Sequence, residues 1–303
     1  MQGLEGIYVI VSTPFDERGR VDEGSFATLL EATVAAGVQG ITILGVAGEA
    51  PRLSDAEREQ LTSVAMRTIA GRIPVIVGVS HDGTAVTIER TQAARAAGAA
   101  GVMIAPPNFS KIGKGLIEHY RQIGIQGGLP IVLQDYPLVN GVNMSPQFIA
   151  DMVQAVPEIV TVKQEDIPTA SRMRQTAAAL PQGRLTYQGG LSGVWLLDEL
   201  RAGASGAMTG FPYPEILVEI WQTFRAGNEA DAAALYYRYL PLMLLDGQPG
   251  TGVAARKEIQ VRRGQIKYAT VRAPGLNLDP AAKRDLHTLV DTLGLAKYDA
   301  VQV

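Results

Sequence analysis

Pro157-Glu-Ile-Val-Thr-Val-Lys-Gln-Glu-Asp166 (PEIVTVKQED) is a short apolar run that ends on a lysine with acids behind it. Ile159, Val160, Thr161 and Val162 are all β-branched, which suits a pleated strand packed on both faces. Strand parity sends Val160 and Val162 to one side and Thr161 and Lys163 to the other. If the valine side meets helices, Lys163 points into whatever the strands enclose. An ammonium stripped of hydration there is expected to fall below the free lysine value of about 10.4. The neutral amine so favoured attacks a ketone carbon and forms a Schiff base. The plainer alternative is a strand-end lysine that reaches solvent or pairs with Glu165 or Asp166.

Working outward, the same unit recurs: a β-branched strand, an amphipathic helix, a glycine-containing turn. Strands are expected over 6–11, 41–44, 74–79, 101–105, 131–136, 159–163, 185–188 and 206–209. Helices are expected over 22–36, about 54–70, 84–97, 115–123, 145–156, 169–179, 191–202 and 214–226. Ser54 and Glu57 have the spacing of a capping box, and Ser145 precedes a proline at a first helical position. Eight such units in about 225 residues is the count and length of an α/β closed barrel, the (β/α)8 TIM barrel. An open doubly wound sheet competes, but no G-x-G-x-x-G follows a strand here. After Gly227 the alternation stops, and 228–245, 253–263 and 280–293 have helical patterns alone. The expected division is a barrel over 1–226 and a C-terminal helical extension over 227–303.

Composition excludes several function classes. With 47% hydrophobic residues, 19% charged and 33 glycines in 303 residues, the chain can bury a large core. A net charge of −3 without any basic block argues against a nucleic-acid partner. There are no cysteines, which removes disulfides, thiolate metal sites and a cysteine nucleophile. The N-terminal stretch MQGLEGIYVIVSTPF has no basic leader and too short an apolar run to span a bilayer, so no membrane partner is expected and the location expected is cytoplasmic. His81, His119 and His287 are scattered and no H-E-x-x-H occurs, so neither a catalytic metal nor a cofactor is expected. No G-x-S-x-G supports a serine hydrolase.

A parallel barrel gathers the C-terminal ends of its strands into one rim. That rim holds Ser12 and Thr13, the turn Gly45-Val46-Ala47-Gly48-Glu49, Ser80, His81 and Asn108, then Gln134, Asp135, Tyr136, Lys163, Gln188 and Thr209. Gln134 and Tyr136 share a side with Val132, and inward is the better assignment for a side that ends in polar groups. A tyrosine facing an amine nucleophile can shuttle the protons of imine formation, although a strand-end aromatic with its hydroxyl in water is an equal alternative. Gly45 and Gly48 can let backbone amides approach an anion closely, though an ordinary tight turn explains them as well.

Several stretches together resemble the dihydrodipicolinate synthase/N-acetylneuraminate lyase family of class I, Schiff-base barrels. STPFDERGRVDEGSF is similar to that family's first strand and loop, and ILGVAGEAPRLSDAER to its G-[ST]-T-G-E…L-S-x-x-E-R signature. GLIEHY, VTVKQED, GASGAMTG and VRAPGLNL resemble later segments, and Lys163 falls on the imine-forming lysine. The resemblance implies a metal-free lyase, aldolase or dehydratase, that acts on a 2-oxo acid such as pyruvate, and a homotetramer. It implies Lys163 as the imine-forming residue; strand parity adds Tyr136 as the second catalytic candidate, and the rim and signature turn give Gly45, Val46, Ala47, Gly48, Gln134, Asn108, Gln188 and Thr209 as substrate-binding ones. Asn108, Phe109, Gln188 and Tyr213 are expected to select the second fragment.

The chain also departs from the pattern. Val46 and Ala47 stand where the family has hydroxyl residues, and Gln134 where it has a catalytic tyrosine. Val139 stands at the synthases' arginine, and Asn108 at the tyrosine given by a neighbouring subunit. Without an arginine-carboxylate contact a dicarboxylate product is poorly held, which argues against dihydrodipicolinate synthesis. The alternatives are that synthase activity itself, with replacement groups elsewhere, or a catalytically reduced member that only binds 2-oxo acids.

Overall fold

Eight parallel strands close on themselves in chain order: β1 (Gly6–Ile10), β2 (Gly40–Ile43), β3 (Val75–Gly78), β4 (Gly101–Ile104), β5 (Ile131–Asp135), β6 (Ile159–Gln164), β7 (Thr186–Gly189) and β8 (Gly206–Thr209). The structure is a computed structural model that describes residues 3–108 and 110–295. β8 pairs back onto β1, from Gly6 against Gly206 to Val9 against Thr209, so no sheet edge is left open. The approach is tight: a Cβ on Gly206 would lie 1.9 Å from the carbonyl oxygen of Gly6, so only glycine fits at this seam.

Helices separate the strands as the pattern requires. They are α1 (Glu23–Ala35), α2 (Asp55–Ile69), α3 (Thr84–Ala97), α4 (Lys114–Gly127), α5 (Pro137–Asn140), α6 (Pro146–Ala155), α7 (Thr169–Ala178), α8 (Leu196–Arg201) and α9 (Pro214–Arg225). Three more follow without strands: α10 (Glu229–Asp246), α11 (Gly252–Arg262) and α12 (Pro280–Thr292). Both halves of the capping box at Ser54 and Glu57 are made, and Ser145 caps α6 through the Phe148 amide.

Three segments differ from the sequence expectation. α4 runs on through Gly124 and Gly127, because those glycines admit Glu158 and Thr91 rather than break the helix. The short α5 is an addition, with Pro137 at its first position and Gly141 ending it at φ 72°. The helix expected over 191–202 is divided. Leu191 and Ser192 adopt φ of 50° and 59°, so a 3-10 turn over Leu191–Gly193 precedes α8.

Two apolar clusters result. The inner one fills the barrel with Leu4, Tyr8, Ile10, Ile76, Met103, Val132 and Met208. The outer one binds strands to helices and includes Val162, Leu133 and Ala207. Val132 inside and Val162 outside fix the parity left open by sequence: Gln134, Thr161 and Lys163 face the interior. Thr161 confirms this by accepting the Leu4 amide at 3.0 Å.

Candidate active site

Lys163 stands above the inner cluster, beside Gln134 of β5 and Gln188 of β7. It is 2% exposed, and its Nζ donates to Glu165 Oε2 at 2.7 Å. Gln134 Nε2 donates to the same oxygen, also at 2.7 Å. Glu165 follows Lys163 by two residues, so both side chains leave the strand end on the same side. It is 5% exposed, and Gly190 lies against it: a Cβ there would stand 2.5 Å from Glu165 Oε1. Buried ammonium, buried carboxylate and carboxamide form one unit, in which each charge is compensated within hydrogen-bond reach.

These groups line a cavity of about 510 Å³ at the C-terminal end of the barrel. Val46, Ala47, Tyr136, Val139 and Thr209 line it too. Burial first, and then the charge of Glu165, hold the Tyr136 hydroxyl above its ordinary pKa. A tyrosine kept protonated donates a hydrogen bond; it does not serve readily as a base.

Four other expected groups do not line this cavity. Gln188 is fully buried, but its amide turns down to the Leu4 carbonyl and Ser205 at the opposite end of the barrel. The inner wall there offers two acceptors, and the cavity side is already held by Gln134. Asn108, at the position that the resemblance gives to a neighbouring subunit's site, bonds through its backbone and side-chain nitrogens to Asp82, at 2.9 and 3.1 Å, and does not line the cavity of its own chain. Gly45 and Gly48 are small because β1 presses on them: added Cβ atoms would stand 2.9 Å from Ile10 Cγ2 and 3.0 Å from the Val11 carbonyl oxygen. Tyr213 is buried under the Arg263 guanidinium, which lies 4.6 Å from its ring centre. Phe109 lies outside the described residues.

The opposite wall of the cavity was not anticipated. Ser192, Asp246, Gln248 and Arg256 line it. Ser192 Oγ donates to Asp246 at 2.5 Å, and Arg256 grips the same carboxylate through Nε and Nη2, at 3.1 and 2.7 Å. The Ser192 amide donates to Thr209 Oγ1 at 2.7 Å, which ties this wall to β8. Burial raises the pKa of Asp246, while Arg256 and Ser192 oppose the rise. The left-handed φ values of Leu191 and Ser192 belong to this wall, and Glu49, at φ 57°, also lines the cavity. Non-glycine residues held there by their surroundings concentrate at working sites. A sequence signal existed in Gly189-Gly190, a glycine pair ending a strand, but the ten-residue separation of Asp246 and Arg256 across a helix break carried none.

Glu49 supports the rim from below. Its Oε1 accepts from Lys257 Nζ at 2.5 Å, and its Oε2 from Arg52 at 2.6 Å and the Arg272 amide at 3.0 Å. Lys257 is fully buried, with Nζ 4.4 Å from the Phe15 ring centre. Burial pulls its pKa down to about 8 against the pull of Glu49. Arg272 in turn bonds to Glu57 through both terminal nitrogens. The VRAPGLNL segment is thereby laid beside the turn after β2.

Comparison with known proteins gives a consistent picture. The Dihydrodipicolinate synthetase family matches residues 3–293. An L-2-keto-3-deoxyarabonate dehydratase from Azospirillum brasilense is 31% identical over 93% of this chain and 92% of its own. A 4-hydroxy-tetrahydrodipicolinate synthase from Stenotrophomonas maltophilia is 37% identical over 68% of each chain. Among solved structures, dihydrodipicolinate synthase from Rhodopseudomonas palustris superposes with a TM-score of 0.90 at 33% identity, covering 96% of this chain and 99% of that one. A prophage protein of the same family from E. coli K12, in complex with pyruvate, also scores 0.90, at 27% identity with 96% and 99% covered.

Proposed function

Because the chain belongs to the dihydrodipicolinate synthetase family and is a lyase of the class I aldolase type that acts on a 2-oxo acid, we propose that it dehydrates a 2-oxo-3-deoxy sugar acid through an imine on Lys163. The observation that carries this reading is Glu165 Oε2 at 2.7 Å from Lys163 Nζ. Before it can attack, the amine must give up a proton, and Glu165 is within reach to take it. Attack on the C2 ketone then expels water and leaves the imine. C3 is bonded to the imine carbon, so its proton comes off beside the carboxylate that already faces the nitrogen. The electron pair released at C3 expels the C4 hydroxyl, which leaves as water with a proton from Glu165. Hydrolysis of the imine consumes one water and frees the amine, so the net change is the loss of one water.

Aldol cleavage would begin instead with removal of the C4 hydroxyl proton, which needs a base at that oxygen. A relative that dehydrates 2-keto-3-deoxyarabonate has the same chemistry in its name. The amides of Val46 and Ala47, the first residues of a 3-10 turn, are assigned to the substrate carboxylate. Tyr136 serves as a hydrogen-bond donor on the wall. We also take the enzyme to be a homotetramer, which sedimentation tests as a mass of four times 32.3 kDa.

The first test is to add pyruvate, reduce with borohydride and map the adduct by peptide mass. Modification of Lys163 is expected. If pyruvate and a panel of longer 2-oxo acids all leave Lys163 free, the imine reading fails. Condensation of pyruvate with aspartate semialdehyde at a rate above sugar-acid dehydration would instead assign the synthase activity of the Stenotrophomonas relative.

A further inference from the structure

A second buried carboxyl lies behind Glu165. Glu199, on α8, is fully buried, and no ion pair is found for it among the described residues. It reaches β7 from the outside while Glu165 reaches it from the cavity. The glycine pair at the end of that strand separates them. A Cβ on Gly189 would stand 1.8 Å from Glu199 Oε2, and one on Gly190 would stand 2.4 Å from Glu165 Cγ. Two adjacent residues without side chains therefore hold one carboxyl each, on opposite faces of the same strand end.

We propose that Glu199 is a positioning residue for Glu165, a neutral acid behind the strand end that keeps Glu165 the single negative charge beside Lys163. This role depends on Glu165 being the acid/base assigned above. The surroundings of Glu199 suit a neutral acid. Thr169 approaches it from α7, Glu165 from β6, Asp198 from its own helix and Tyr236 from α10, and none of these is a cation. Burial, and after it the charges of Glu165 and Asp198, push its carboxyl up to about 8, with Thr169 opposing. A charged Glu199 would place a second anion against the Lys163–Glu165 pair. That anion holds on the pair the proton which the amine must release, so turnover falls as Glu199 ionises.

Two measurements decide the matter. The first compares kcat against pH for the wild type and Glu199→Gln. Wild-type turnover is expected to fall on the alkaline side, and in Glu199→Gln that limb moves up by a pH unit or more while turnover near neutrality stays within about threefold. A Gln variant that loses turnover equally at all pH values, or whose profile superimposes on the wild type, overturns the proposal. The second needs no activity and leaves Glu199 intact. The infrared band of the protonated carboxyl is followed against pH in the wild type and in Glu165→Gln. Without the neighbouring anion the band is expected to vanish at a lower pH; an unchanged midpoint overturns the coupling. If borohydride trapping fails in the wild type, the function assigned to Glu165 falls, and the infrared comparison alone decides whether the two carboxyls are coupled.

Discussion

At the level of single residues, two side chains compete for the proton work: Tyr136, two positions after the family's tyrosine, and Glu165, two positions after the lysine. Their surroundings separate them. Glu165 shares one oxygen with Lys163 and Gln134, whereas Tyr136 is held protonated by burial and by Glu165 itself. Glu165→Gln is therefore expected to lower kcat by about 10²–10⁴. Tyr136→Phe should cost less than about tenfold, the loss of a positioning hydrogen bond of about 1 kcal/mol. Steady-state rates on the same 2-oxo acid compare them, and the reverse order would return the acid/base role to the tyrosine. Lys163 was legible because β-branched parity placed it inside. Glu165 obeys the same parity, yet beside a lysine it also fits a surface ion pair, and only Gln134 on the next strand makes it a buried partner. Gln188 misled for the complementary reason: parity fixes the side of a strand, not whether a flexible side chain turns toward the top or the bottom of the barrel.

Whole elements were read with less ambiguity than their ends. Ser54, Pro146 and Gly98 mark helix limits through local hydrogen bonds and dihedral preferences, which a sequence carries directly. The break before α8 is different, since its left-handed Leu191 and Ser192 are held by Thr209 and Asp246, groups distant in the chain. Tertiary contacts overrule local preference there. The same holds for the element that closes the rim. Helix α11 contributes Lys257, fully buried, to Glu49 in the turn after β2, 208 positions away. Glu49→Gln removes the compensating charge and leaves a buried ammonium unpaired, at a cost of roughly 3–5 kcal/mol. The expected result is a lower urea midpoint together with faster proteolysis between 263 and 279, where the Arg272 amide loses its acceptor. An unchanged midpoint would mean that the pair contributes nothing net.

For the molecule as a whole, counting strands was enough to foresee closure, because eight parallel strands leave no edge only as a barrel. What counting could not foresee is how many ionisable groups the closed barrel buries, and these set its response to pH. Burial raises Asp135 to about 6, against the pull of Gln164 and Arg172, and raises Glu199 to about 8. A carboxyl that is a weaker acid in the fold than in the unfolded chain stabilises fully below its unfolded pKa, and that contribution is lost as pH climbs through the folded one. Glu57 acts in the opposite sense. The Arg272 hydrogen bond lowers it to about 2, so its contribution is complete above the ordinary carboxylate range and disappears in acid. Lys257, lowered to about 8 by burial, adds stability only as pH rises beyond that value. Between about pH 5 and pH 8 the two raised carboxyls therefore dominate, and the urea midpoint is expected to be highest near about pH 5 and to fall toward pH 8. Glu199→Gln should abolish the upper part of that fall, from about pH 6 to 8, and leave the part due to Asp135. A midpoint that stays level or rises over this interval would show that both carboxyls ionise in the fold without cost, and that the interior around β5 and β7 is far more polar than its packing requires.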